Sequence, residues 1–399
     1  MNDLKILFFL HFPNPFPGAA WTRISFFADY FNRKGHTISI AGVFSFKSFS
    51  RAGVGKWNES KIFNTTPIIM ATNIFALIFN HVSSFFSSMV LIIYLRPDIV
   101  IISVPNGDCA LGSYLAAKIF RKKILIDYRD EWEDYIIKRT ASEIYKRSYK
   151  FLKTLITRCY INSAQVVTVT NAIANSLIDR GVRNVKIIAN GADTNVFKPY
   201  DKLKTRQRLG FDESDFIILY SGVIGEYYKL DMVVRALQKL INKVQNVKLL
   251  LVGGGPDLQG VLNLSEDLGI RNRIFYLGPK SDKIELAEIL SAADVGVIPY
   301  DANPLWKNSL PAKAFEYFAC GLPVVATVYE DSTLGKLIFE NKIGLVSDPE
   351  NVETLADCLE RICVDNSFRK DAGKRAVILI KERFDRNKIA EEFLNLIKC

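Results

Sequence analysis

The chain has 399 residues, 49% hydrophobic and 24% charged, a length that exceeds one ordinary core and suits two domains. Six scattered cysteines without a Cys-x-x-Cys pair, and only three histidines, argue against a disulfide framework and against a zinc cluster. The net charge of +10 is one-sided: residues 1–200 carry 25 Lys and Arg against 13 Asp and Glu, residues 201–399 carry 27 against 29, and the excess points to an anionic partner for the first half, membrane surface or nucleic acid.

The opening "MNDLKILFFLHFPNPFPG" is no secretory leader, because Asp3 spoils the basic start and prolines cut the apolar run short, so a cytoplasmic protein is expected. "LKILFFLHF" predicts a buried strand, "TRISFFADYFNRKG" an amphipathic helix closed by Gly35, and "HTISIAGV" a second strand. Ile62 to Leu95 contains no charged side chain, yet Asn, Thr, Ser and Pro interrupt it, so it reads as a buried or interface-dipping helical segment rather than a spanning one. "DIVIISVP", "KKILIDYRD" and "AQVVTVT" follow as short apolar strands separated by "GSYLAAKIFR" and "ASEIYKRSYKFLKTLITRCYINS" as helices. Apolar strands alternating with helices imply a parallel sheet covered on both faces.

"IIANGADTNVFKPYD", rich in Asn, Gly, Asp and Pro, breaks the pattern. Strand, helix and strand then restart as "FIILYSGV", "LDMVVRALQKLINKV", "VKLLLVGGG", "DLQGVLNLSEDLG", "RIFYLG", "KIELAEILSAA" and "DVGVIPY", followed by a helix near Lys313, strand "LPVVAT" and two more helices. The expected architecture is α/β: two Rossmann-like, doubly wound domains facing each other across a cleft, where open sheets of this kind bind ligands. The expected boundaries are 1–190 for the first domain, 191–206 for a linker, 207–380 for the second domain, and 381–399 for a terminal helix returning to the first.

A Walker sequence is missing, and "VGGGPDL" departs from the dinucleotide fingerprint at Leu258, so Gly253, Gly254 and Gly255 mark a tight turn whose amides suit a phosphate or simply close the turn. Paired carboxylates, a nucleophile elbow and a His-rich helix are also missing. In "NSLPAKAFEYFACGLPVVAT", Pro311 suits a first helical turn with Asn308 or Ser309 as cap. Lys313 and Glu316, three apart, share one face of that helix. They form either an intrahelical pair or a site in which the cation and free amides take a phosphate while the carboxylate accepts from vicinal hydroxyls. The apolar surroundings favour the site, because an unpartnered buried carboxylate is costly.

These residues, with "YSGVIGEYYKLDMVVRAL", "LLLVGGGPD", "ADVGVIPYD" and "NGADTNVFKP" in the same order and spacing, resemble the donor half of family-four glycosyltransferases of the GT-B fold over residues 185–380. "NRKGHTISI" and "DYRDEW" resemble the same group more weakly, and transferases building bacterial surface polysaccharides are the nearest likeness. The resemblance implies that Glu316 holds the nucleotide ribose and that Lys229 neutralises the diphosphate. It implies that Gly222 and Gly225 let the loop approach the phosphates, with Gly254, Ser309 and Leu310 also on the donor side and Gly18 near the β-phosphate. Asn308 replaces the first of the family's two glutamates and Val223 replaces an arginine, which leaves Lys229 and Lys313 as the phosphate cations.

The implied reaction is retaining transfer from a nucleotide sugar to a saccharide or lipid-linked acceptor, with the leaving diphosphate stabilised by lysines and amides and with no metal or other cofactor. Asp130 follows a strand and is either the group that orients or deprotonates the acceptor or an ordinary helix cap, with Arg129, Trp132 and Arg23 on the acceptor side. Competing readings are a nucleotide-sugar 2-epimerase and a non-catalytic nucleotide-sugar-binding protein. Nucleic acid is disfavoured because no binding module accompanies the charge. The basic first half is therefore expected to rest on anionic membrane at the cytoplasmic face.

Overall fold

The computed structural model describes residues 3–398 apart from Pro17, Thr72, Pro105, Asn106 and Ala141, and apart from the side chains of Trp132, Tyr135 and Arg139. The chain divides into two compact units, Met1–Ala189 with Ala390–Cys399, and Asn190–Ile389.

The first unit runs β1 (Lys5–Leu10), α1 (Ala19–Arg33), β2 (Thr37–Phe44), β3 (Gly53–Trp57), β4 (Ser60–Pro67), α2 (Ile74–Leu95), β5 (Ile99–Val104), α3 (Ala110–Ile119), β6 (Lys123–Tyr128), α4 (Trp132–Arg139), α5 (Glu143–Ile161), β7 (Gln165–Thr168), α6 (Asn171–Asp179) and β8 (Val185–Ile187). Its sheet has the order β3-β4-β2-β1-β5-β6-β7-β8, parallel except for the β3–β4 hairpin. The direction of winding reverses at β1, between β2 and β5, the kind of position where such sheets bind ligands. All of β5 is buried, as a strand covered on both faces requires. The uncharged stretch from Ile62 to Leu95 proves to be two elements. Residues up to Pro67 are strand β4, paired on one side with β2 and on the other with β3, and only Ile74 onward is helix.

Arg23 on α1 and Asp127 on β6 form a buried pair beneath this sheet. The guanidinium donates to Asp127 Oδ1 at 3.1 and 3.2 Å and to the carbonyls of Ile188 and Ala189 at 2.8 and 2.7 Å. Ser103 Oγ donates to the other carboxylate oxygen at 3.0 Å. Asp127 also lies 3.6 Å from Arg129 Nε, so one buried carboxylate offsets two buried guanidinium groups. Asp127→Asn is therefore expected to cost about 3–5 kcal/mol of stability, measured by denaturant unfolding, because it strands a buried guanidinium.

The second unit runs α7 (Lys202–Leu209), β9 (Phe216–Val223), α8 (Leu230–Ile241), β10 (Val247–Gly254), α9 (Leu258–Asp267), β11 (Ile274–Tyr276), α10 (Lys283–Ala292), β12 (Val295–Pro299), α11 (Ala312–Ala319), β13 (Val324–Thr327), α12 (Thr333–Asn341), β14 (Gly344–Ser347), α13 (Val352–Val364), α14 (Asn366–Arg383) and the start of α15 (Arg386–Lys398). Its parallel sheet has the order β11-β10-β9-β12-β13-β14, so the winding reverses between β9 and β12. Leu230, Val233, Val234, Leu237 and Leu240 give α8 its buried stripe, packed with Ile218, Leu249 and Val297 of the strands.

Residues 191–206, expected as the interdomain linker, group by their contacts with the second unit. Ala192 exchanges backbone hydrogen bonds with Phe384 and Arg386 at 3.0 and 2.9 Å, and Phe197 is buried in the core. On α7, Arg206 and Lys202 each reach Asp294 at 2.6 Å. Composition marks this stretch as irregular, but its few apolar and charged side chains suffice to anchor it. The chain's last turns belong with the first unit, where the Phe393 ring lies 5.1 and 5.9 Å from those of Phe27 and Phe31.

Candidate active site

In the second unit, the carboxyl ends of β9 and β10 and the start of α11 gather most of the donor-side residues. Gly222 has φ +127, a backbone that side chains rarely adopt, and a Cβ there would stand 3.0 Å from Lys313 Nζ. Gly253 is paired in register with Gly222, and a Cβ on it would strike the Gly222 carbonyl oxygen at 1.9 Å; one on Gly255 would strike that of Ile224 at 2.0 Å. Gly254, the member of the run singled out from the sequence, faces only an ordinary 3.7 Å contact with the Tyr276 hydroxyl. Gly225 is buried and likewise has ordinary space. Backbone conformation therefore calls for glycine at 222, and packing demands it at 253 and 255.

The cap expected for the helix differs. Pro311 is itself the residue before the first helical position, and Asn308 ends a separate 3-10 turn, Pro304–Asn308, with Ser309 and the buried Leu310 extended between the two. The pyrrolidine ring fixes φ but offers no oxygen to the following amides. Helix α11 consequently starts with no side-chain cap; the Ala314 amide donates to the Pro311 carbonyl at 3.0 Å, and the positive end of the dipole is left to an anion.

Lys313 lies in the first turn and is 9% exposed. Its ammonium sits 3.9 Å from the centroid of the Tyr220 ring and 3.8 Å from that of Tyr228, and has no hydrogen-bond partner among the described residues. Burial drives the ammonium well below the usual lysine range, with Glu316 pulling in the opposite direction. The ring faces hold the cation in place without satisfying its N–H groups. Glu316, one turn on and half-buried, is held above the usual carboxylate range by burial, against weaker pulls from Arg386, Lys283 and Lys313. An unsatisfied ammonium and a carboxylate one turn on, at an uncapped helix terminus, form a site prepared for a ligand that carries both acceptor oxygens and hydroxyl donors.

Lys229, adjacent in sequence to the cage residue Tyr228, precedes α8. Its backbone N–H donates to the Pro299 carbonyl at 2.7 Å, and its Nζ stands 3.7 Å from Asp231 in a partly exposed pair, a weak tie that leaves the ammonium available to an anion. The cage tyrosines were not signalled by the sequence, since Tyr220 lies within strand β9 and Tyr228 in the segment before α8, with no local pattern tying either to Lys313. The only cue is two aromatic residues flanking the Gly222–Gly225 loop.

The first unit places its predicted residues separately. Gly18, with φ +153, precedes α1, which also begins without a side-chain cap. Arg129 and Asp130 directly follow β6; Arg129 is 5% exposed, and its Nε and Nη2 have no hydrogen-bond partner among the described residues, Nε lying 3.6 Å from Asp127. Burial lowers the Arg129 pKa, opposed by Asp127 and Asp130. Arg23, assigned by sequence to the acceptor side, is spent on Asp127 and two carbonyls at 2% exposure, so it braces the sheet instead of presenting itself to a ligand. The Trp132 side chain lies outside the described residues.

The family model "Glycosyl transferases group 1" matches residues 201–377, which lie in the second unit. The chain is 26% identical over 297 residues to N-acetyl-alpha-D-glucosaminyl L-malate synthase of Bacillus anthracis, covering 73% of this chain and 71% of that one. Among solved structures, sucrose-phosphate synthase from Thermosynechococcus elongatus superposes with a TM-score of 0.79 at 17% identity over 99% of this chain and 98% of its own. The Anabaena protein Alr3699/HepE in complex with UDP gives 0.73 at 16% over 99% and 100%. The chain is a glycosyltransferase of the GT-B fold, with its second unit matching the group 1 glycosyl transferases over residues 201–377.

Proposed function

We propose that this enzyme moves a hexosyl group from a nucleotide-sugar donor to a saccharide or lipid-linked acceptor in cell-surface polysaccharide or glycolipid synthesis, with retention of anomeric configuration and without a metal. The observation that carries the donor assignment is the buried, unsatisfied Lys313 ammonium, one turn from the half-buried Glu316, at the uncapped start of α11 beside the positive-φ glycine at 222. The solved Anabaena neighbour, itself a complex with UDP, supports a nucleotide diphosphate as the ligand class. The motifs shared with transferases of bacterial surface polysaccharides support the acceptor class.

In the proposed step the anomeric carbon–oxygen bond to the diphosphate breaks, its electron pair leaving on the phosphate oxygen. The acceptor oxygen bonds to the same face of that carbon and gives up its proton. Negative charge developing on the leaving diphosphate is met by Lys313, Lys229 and the α11 amides, preorganised donors that need no reorganisation at the moment of reaction. The Glu316 carboxylate accepts from the ribose hydroxyls. Asp130 and Arg129 are assigned to the acceptor, Asp130 orienting or deprotonating its hydroxyl. The cytoplasmic face of the membrane is the proposed location, since lipid-linked acceptors are presented there.

Thermal shift with a panel of UDP-, GDP- and dTDP-sugars, followed by product analysis with and without acceptor in chelator-treated buffer, tests this reading. Stabilisation by one nucleotide series and acceptor-dependent transfer that survives EDTA are expected. Conversion of the free nucleotide sugar without acceptor would instead establish an epimerase, and no stabilisation by any series would remove the donor site.

A further inference from the structure

Helix α2 is polar on the inside along its middle turns. Between the buried Leu77 and the buried Leu91 and Ile92, its inner face is small and polar: Ser84 Oγ donates to the Cys109 carbonyl at 2.9 Å, Ser84 and Ser88 meet Ser113 of α3 at 2.8 and 3.0 Å, and Asn80 bonds both backbone groups of Ile69. The seam is tight as well as polar, since a Cβ on Gly112 would strike the His81 carbonyl oxygen at 2.2 Å. The outward face carries a second, exposed apolar stripe. Phe75, Phe79, Val82, Phe86, Val90 and Ile93 recur at three- and four-residue intervals along one stripe, each at least 45% exposed, with no charge anywhere in the 22 residues. A tight α2–α3 seam explains the serines; it does not call for phenylalanines facing water.

Beside the carboxyl half of this stripe lies an open groove of about 710 Å³ between α2 and the β3–β4 hairpin. Phe63 and Leu91 form its floor, Val90 and Tyr94 one wall, and the exposed Lys56 and Lys61 stand on the hairpin side, with Glu59 loosely paired to Lys56 at 3.7 Å. On the same helical layer, α3 and α5 expose Lys118, Arg147, Lys150 and Arg158. Because α2 is hydrogen-bonded into the layer along its polar face, it cannot turn to cross a bilayer, but its other face is free to lie in one.

We propose that α2 is an in-plane membrane anchor that sinks its Phe75–Ile93 stripe into the interface of an anionic bilayer, and that the adjacent groove takes an anionic phospholipid, phosphate to Lys56 and Lys61 and chain to the Phe63–Leu91 floor. Charge chooses this occupant over a second copy of the chain: self-association would bring two strongly basic halves together, whereas the same cations attract anionic headgroups. The purpose of the anchor rests on the lipid-linked acceptor reading above; its physics does not.

Flotation of the full chain with vesicles of phosphatidylcholine alone and mixed with phosphatidylglycerol tests it. Binding to the mixed vesicles that weakens with added salt is expected. Phe86→Glu with Val90→Glu should reduce it at least about tenfold, and Lys56→Glu with Lys61→Glu about tenfold, chiefly in the anionic component. All four positions are exposed, so stabilisation by nucleotide should be unchanged. The proposal is overturned if wild type fails to float, if its flotation ignores both lipid charge and salt, if both variants float like wild type, or if light scattering finds a dimer that Phe86→Glu with Val90→Glu dissociates. Nucleotide binding without flotation would remove the anchor alone, and flotation without nucleotide binding would remove the donor reading alone.

Discussion

Glu316→Gln is expected to weaken nucleoside-diphosphate binding about 10- to 100-fold, the worth of a charge-assisted hydrogen bond to ribose hydroxyls, and to lower kcat/KM by at least as much. The same change should make the ligand-free protein more stable near neutral pH. The reason lies in the sign of the shift: burial holds the Glu316 pKa above its ordinary value of 4.5, so the folded state retains a proton that the unfolded chain has lost, and stability falls as pH rises through that window. Glutamine removes this cost along with the function. Titration calorimetry with UDP, paired with thermal melts at pH 5 and pH 8, checks both halves. A variant that binds the nucleotide normally would show that the carboxylate serves the helix and not the ligand.

Lys313→Met should weaken diphosphate binding about tenfold or more and abolish proton uptake on binding. In the free enzyme, burial lowers the Lys313 pKa well below 10.5, so between the lowered value and 10.5 the folded protein carries less than a full proton there. An arriving diphosphate raises that pKa again, so binding takes up a proton and tightens as pH falls toward the lowered value. Calorimetry in buffers of different ionisation enthalpy reads the uptake directly, and working above about pH 7.5 keeps the ligand's own phosphate fully ionised. Wild-type binding without proton uptake anywhere from pH 7.5 to 10 would mean that the tyrosine faces already keep the lysine charged.

How much of this was legible beforehand depends on whether the signal is local. The doubly wound character of both halves is written in runs such as "DIVIISVP" and "DVGVIPY", because a strand buried on both faces must be apolar throughout. The Lys313–Glu316 pair was legible because three-residue spacing places both on one helical face whatever surrounds the helix. The β3–β4 hairpin was not, since its residues carry no alternating pattern and Pro67 lies inside an uncharged run that mimics the helix beyond it. The cap of α11 was also misjudged: Pro311 stands one place earlier than expected, and an extended Ser309–Leu310 segment separates Asn308 from the helix.

The sequence by itself determined the fold class, the order of strands and helices along most of the chain, and the identity of the charged pair at the donor site, because periodicity and spacing act over a few residues. Only the tertiary structure decided what those charges experience. Tyr220 and Tyr228 reach Lys313 from 93 and 85 positions away, Asp127 claims Arg23 across 104 positions, and the α2–α3 seam turns the phenylalanines of α2 outward. Burial and partnership are properties of packing between segments distant in sequence, and they decide whether a charge braces the fold or waits for a ligand.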